Sequence, residues 1–277
     1  MQPLSTRTRN VYLYTFIALF FALLPFVIMY ADGWRWAQDI GFYKTGGVFV
    51  SVPYPDAEVF LDDETIGFSG FFDRSFYVGN LAPGAYKIDV ARDGYLPWTR
   101  VVVVEPQLVT DAEALLFPKR IEPTRLLFTG VATTGISVIP RAQYNTYLAS
   151  FGTTSLTAST TIPQDESDGI GLFVVGGDVF ARWISEDAFP SSRFCGRPSF
   201  CVREFPIEKG SDVSRSARFF RGGVVYATHE GGVYFAEADT RPTPVMVQLF
   251  EAEDPDIRVI DDTLIVKSGN DLYEISL

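Results

Sequence analysis

The sequence predicts a single N-terminal transmembrane α-helix plus an all-β ectodomain, in which a small β-sandwich is followed by propeller-like antiparallel β repeats. Three observations predict it: an uncharged run of 20 residues near the N-terminus, period-two alternation bounded by Gly, Pro and Asp turns, and hairpins that recur at an interval of 39 residues. Composition agrees. Phe (24), Tyr (13), Gly (23) and Pro (17) are plentiful and Met (3) is scarce, a balance that favours strands and turns over long helices.

Val11 to Tyr30 reads VYLYTFIALFFALLPFVIMY. At a rise of about 1.5 Å per residue this run matches the roughly 30 Å hydrocarbon thickness of a bilayer. Pro25 is compatible with a helix in lipid. Tyr12 and Tyr14 near one end, and Tyr30, Trp34 and Trp36 near the other, suit the headgroup zones. Arg7 and Arg9 precede the run and Asp32 follows it, so residues 1–10 are expected in the cytoplasm and the C-terminus outside, a single pass through the cell membrane with the lipid bilayer as first partner. A cleaved signal peptide is the competing reading. It asks for an apolar stretch of about 7–15 residues and small residues at the cleavage site. The best site here, Met29-Tyr30-Ala31, puts a large residue where a small one is needed. Beyond Ala31 the chain carries 21 Lys and Arg against 34 Asp and Glu. A surface that acidic repels phosphate backbones, so no nucleic-acid partner is expected.

Residues 31–45 read as a stalk containing Trp34, Trp36, Phe42 and Tyr43. From residue 46 the alternation begins. Val48 to Val52 is expected as a strand, Pro53 to Asp56 as a turn, Ala57 to Leu61 as a second strand and Asp62-Asp63 as the next turn. Phe71 to Val78 is a third strand. Pro83 and Gly84 form a turn, with Pro fixing φ and Gly free to take a positive one. In Ala85 to Ala91, Tyr86, Ile88 and Val90 should face a core while Lys87 and Asp89 face water. Asp93-Gly94 turns the chain into a strand from Thr99 to Glu105.

Residues 46–118 resemble a PEGA domain. The resemblance is carried by Gly46-Gly47-Val48-Phe49-Val50, by the turn Pro55-Asp56-Ala57 inside the segment Ser51 to Asp62, by Gly67, by Leu81-Ala82-Pro83-Gly84-Ala85-Tyr86, and by Gly94-Tyr95-Leu96-Pro97-Trp98. This chain has Asp56 and Asp63 where the family usually has glycine, and Asp tolerates positive φ better than most residues. The resemblance implies a small extracytoplasmic β-sandwich of envelope and surface proteins, and no catalysis. Tyr95 and Trp98 are expected to pack rather than to form a ligand platform.

Residues 119–277 form the repeat region, an expected incomplete β-propeller. Val174-Val175 leads through Gly176-Gly177 to Val179-Phe180; Val225-Tyr226 leads through Gly231-Gly232 to Val233-Tyr234; Ile265-Val266 leads through Gly269-Asn270 to Leu272-Tyr273. The last two superimpose at the 39-residue offset, with Tyr234 on Tyr273. The first precedes the second by 54, the excess falling in an insertion around Ser191 to Cys201. A weaker unit is expected at Tyr147 to Leu156. Residues 124–277 have room for only three or four blades of about 40 residues, at or below the number that closes a ring.

No catalytic residue and no cofactor is expected. His229 is the only histidine, and it reads as a solvent-facing loop residue rather than a triad member. Glu251, Glu253, Asp254, Asp261 and Asp262 read as solvated turns, with calcium binding as the alternative. Cys195 and Cys201 are too few for a structural zinc site and, outside the cytoplasm, are expected to form a disulfide. The expected role is a non-catalytic, membrane-tethered envelope protein with a protein or cell-wall glycan partner, and self-association is a further expectation. The alternatives are an envelope glycan- or peptide-processing enzyme and a subunit of a larger membrane complex.

Overall fold

The computed structural model describes residues 6–38, 40–152, 162–186, 189–210 and 213–276. The apolar run forms helix α1 (Thr6–Ala31), whose most apolar window buries none of its residues against the rest of the chain. It is long and apolar enough to cross a membrane. Gly33 ends it at φ +81, after Asp32 N–H and Gly33 N–H have bonded back to the carbonyls of Ile28 and Tyr30. The described remainder is mostly strands and their connections, with one further α-helix. Where a stalk was expected, β1 (Trp34–Ala37) and β2 (Gly41–Lys44) pair as an antiparallel hairpin.

The next nine strands are β3 (Gly46–Ser51), β4 (Glu58–Leu61), β5 (Glu64–Phe68), β6 (Ser75–Leu81), β7 (Gly84–Ala91), β8 (Tyr95–Leu96), β9 (Trp98–Val104), β10 (Val109–Glu113) and β11 (Phe117–Pro118). One sheet has the order β10-β3-β6, with β10 parallel to β3; a second, fully antiparallel, has the order β5-β4-β7-β9. Val48 and Val50 of the first sheet share one apolar core with Val59, Ile88, Val90 and Val102 of the second. Ile88 and Val90 are buried, Lys87 is exposed, and Tyr86 is only half-buried because its hydroxyl reaches the Ala82 carbonyl, 3.0 Å away. Two expectations shift here. The strand foreseen at Phe71–Val78 runs instead from Ser75 to Leu81, with Phe71 and Phe72 exposed in the preceding loop. Gly84 lies within β7 without a positive φ, and Asn80 (φ 60) makes the left-handed step instead.

In the repeat region, β12 (Thr124–Leu127), β13 (Ile136–Val138) and α2 (Arg141–Ser150) come first. Tyr147, where a weaker repeat was expected, lies on α2, and Leu156 lies outside the described residues. Then follow β14 (Asp165–Ser167), β15 (Ile170–Val175), β16 (Asp178–Trp183), β17 (Cys195–Arg197), β18 (Phe200–Cys201), β19 (Glu204–Glu208), β20 (Val213–Phe220), β21 (Gly223–Thr228), β22 (Val233–Ala236), β23 (Met246–Phe250), β24 (Asp256–Ile260), β25 (Thr263–Ser268) and β26 (Asp271–Ile275). The three expected hairpins are β15–β16, β21–β22 and β25–β26. Each is the centre of a larger antiparallel array: β14-β15-β16-β19, β20-β21-β22-β23, and β24-β25-β26-β12 with β13 added in parallel. The first two arrays share a core containing Leu172, Val179, Val224 and Tyr226. The second and third share another, with Val225, Phe235, Leu264 and Val266. On the far side of the third, Leu126, Ile265 and Leu272 pack under Tyr144, Tyr147 and Phe151 of α2 and its end. Among the described residues the sheets do not close into a ring.

Candidate functional site

The resemblance-bearing turns divide between the two ends of β7. Pro83-Gly84 lies at the end nearest α1, where Asn80 meets Arg35 and Gln107 meets Asp32. About 25 Å of strand away, the Pro55-Asp56-Ala57 turn meets the Gly94 to Trp98 turn. Asp56 takes φ +59 and Gly94 φ +81. The first turn is tied by Ser69, whose backbone carbonyl accepts Asp56 N–H at 2.7 Å and whose hydroxyl oxygen accepts Ala57 N–H at 2.8 Å. The rings of Tyr54 and Tyr95 lie 5.2 Å apart, and the Arg92 guanidinium stands over both. Asp56, Tyr95 and Pro97 line a shallow groove there with Phe68, Arg92 and Lys119.

Trp98 does not join that groove. It is fully buried on β9 together with Arg100, Val102 and Val104, every second residue of the strand. The core face of an edge strand therefore carries an arginine, and the partner comes from the repeat region. The segment between β22 and β23 inserts Glu237, whose carboxylate accepts the Trp98 indole N–H at 3.1 Å, the Arg100 guanidinium and the Val245 N–H at 3.1 Å. Arg100 also donates to the Pro242 carbonyl at 2.8 Å, while its Nε has no partner among the described residues. Beside this, Asp239 and Arg241 form a buried two-point ion pair, and Arg241 donates to the Asp111 carbonyl on β10 at 2.8 Å. Buried ions stay charged only when so paired; removing one partner of such a pair typically costs about 3–5 kcal/mol. The sequence reading missed all four residues. The signal was the alternation itself, which puts Arg100 in phase with Trp98 and Val102.

Next to this junction is a crevice of about 250 Å³, lined among others by Tyr54, Glu113, Leu115, Phe117, Arg193 and Arg221. Arg193 Nη2 contacts Glu113 at 2.6 Å and its Nη1 donates to the Gly222 carbonyl at 2.8 Å. The crevice joins apolar side chains to two cations that are already engaged, Arg193 with Glu113 and Arg221 with Asp262 at 3.7 Å.

Cys195 and Cys201 are disulfide-bonded across the β17–β18 hairpin. Ser199 at its tip gives its N–H and hydroxyl to Glu105, so the insertion leans on the loop after β9. His229 is exposed in the β21–β22 turn, 3.1 Å from Asp254. Asp254, Asp261 and Asp262 take φ of 45, 48 and 59, so these acids serve tight turns, as Asp62 and Asp63 do between β4 and β5. Among the described residues no three His, Cys, Asp or Glu side chains converge as a metal site. The first strands of the three arrays bring Asp165, Arg218, Asp256 and Arg258 together; Arg258 pairs with Asp256 at 2.8 Å, and Asp165 accepts the Phe219 N–H at 2.8 Å.

No family model matches the chain, and no curated protein matches it.

Proposed function

We propose that this chain is a non-catalytic, single-pass membrane protein of the cell envelope, with its N-terminus in the cytoplasm and its β regions outside. Residues 46–118 act as a PEGA-like β-sandwich spacer, and the three stacked arrays act as propeller-like blades that present a docking surface to a protein or cell-wall glycan. The observation that carries this reading is α1: none of its apolar window is buried by the described residues, and Gly33 and Trp34 turn it directly into the β body. Arg7 and Arg9 on one side and Asp32 on the other support the orientation. The disulfide fits an oxidising compartment.

A reporter fused after residue 277 tests the reading. A reporter that works only outside the cytoplasm should be active, and one that works only inside should be silent. The opposite pattern would refute the topology, and a mature N-terminus beginning near Asp32 would replace the anchor by a cleaved signal.

A further inference from the structure

The β1–β2 hairpin is a free aromatic projection at the end of α1. Trp36 and Phe42 face each other across it, with ring centroids 4.8 Å apart, yet each leaves more than half its surface uncovered, as does Ile40 at the tip. A hairpin this short buries no core of its own, and isolated two-stranded hairpins are marginal in water. This one is nevertheless fixed at its base. Arg35 Nη1 donates to the Tyr30 carbonyl in the last turn of α1 at 2.9 Å, its guanidinium lies 3.9 Å above the Tyr30 ring, and its Nη2 reaches Asn80 at 2.8 Å. Asp32 pairs with Lys44 at 3.0 Å and accepts from Gln107 at 3.2 Å; Gly33 accepts from Thr45. The helix end, the base of the hairpin, β6 and the loop after β9 are thus tied together, so the aromatic hairpin starts directly from the end of α1.

The geometry points to a second membrane contact: the hairpin seats Trp36, Ile40 and Phe42 in the headgroup region of the bilayer that α1 crosses. This rests on the anchoring proposed above. The occupant is lipid because the hairpin follows the helix end with only Asp32 and Gly33 between them, and because its base carries Arg35 over Tyr30 and Lys44 over Trp34, the aromatic and cationic chemistry of the membrane–water boundary. An anchor of one helix alone leaves the body free to swivel. Two points of contact, helix and hairpin, set the tilt of the β body on the membrane and aim its distal face outward.

The test uses the full chain in phosphatidylcholine nanodiscs. Ile40→Cys carries an environment-sensitive fluorophore, with Asp93→Cys, at the far end of β7, as the aqueous control; the native disulfide leaves no other free thiol among the described residues. The label at 40 should emit further to the blue than the label at 93. It should be quenched by a nitroxide placed high on the acyl chain and shielded from iodide. In a Trp36→Ser, Phe42→Ser background the shift should be lost while the protein still resists alkaline extraction. A water-like label at 40 in a protein that resists extraction overturns the hairpin contact and leaves the anchor standing. Release by alkali removes the anchor and the hairpin contact together. A blue shift that depends on copies per disc assigns the edge to a second copy of the chain, which also overturns the lipid contact.

Discussion

Tyr226 lies buried in the middle array with its hydroxyl 3.2 Å from Glu208, and burial, then the Glu208 charge, raises its pKa above the ordinary 10.0. In the unfolded chain the phenol ionises near its ordinary value, but in the folded chain it stays protonated. Stability from this group is therefore complete below about pH 10 and is lost as pH rises further, with a slope of about 1.4 kcal/mol per pH unit. Tyr226→Phe should cost about 1 kcal/mol at neutral pH through the lost hydrogen bond and should flatten the alkaline slope; denaturant melts between pH 8 and 11 would show it. The same scale marks what the sequence conceals. Positive-φ tolerance at Asp56 and Asp63 was legible because it follows from side-chain chemistry alone. The pairing of Arg100 with Glu237 was not, because 137 residues separate them and no local pattern encodes so distant a partner.

At the scale of elements, hairpins were the most readable objects. Gly176-Gly177 and Asp62-Asp63 both adopt the two positive φ values that tight antiparallel turns need, and the strands around them alternate or run apolar. Strand β5 was invisible for a physical reason: it is a short edge strand with no fully buried residue, so no face prints a pattern on Glu64 to Phe68. Helix α2 is likewise without a fully buried residue, although Tyr144, Tyr147 and Phe151 recur at helical spacing and cover the third array. The disulfide hairpin was legible from its two cysteines, but its docking on Glu105 was not. A loop closed over six residues confines few unfolded conformations, so replacing both cysteines with serine should lower stability by only about 2 kcal/mol. The variant should remain folded and monodisperse, with its loss read from the midpoint of a denaturant titration.

For the whole molecule, the buried charges make the two β regions depend on each other. Residues 124–277 expressed alone would expose Glu237, Asp239 and Arg241, all nearly dry in the intact chain, together with the faces that Trp98 and Phe117 cover. That fragment should self-associate where residues 32–277 do not, as sedimentation of the two at matched concentration would reveal; a monomeric, stable fragment would count against the dependence.

Strand β12 completes the third array by pairing with β26, so Arg125 finds Asp271 across 146 residues of chain. A ribosome adding about 5–20 residues per second needs roughly 7–30 seconds to cover that distance. During this time β12 has β13 on one side and no strand on the edge that β26 will occupy. Within residues 119–276, then, β26 is made long after β12 and is the strand that fastens it. A product stopped before β26 therefore carries β12 with an unpaired edge, which a solubility comparison of chains truncated after residue 262 and after residue 276 would reveal.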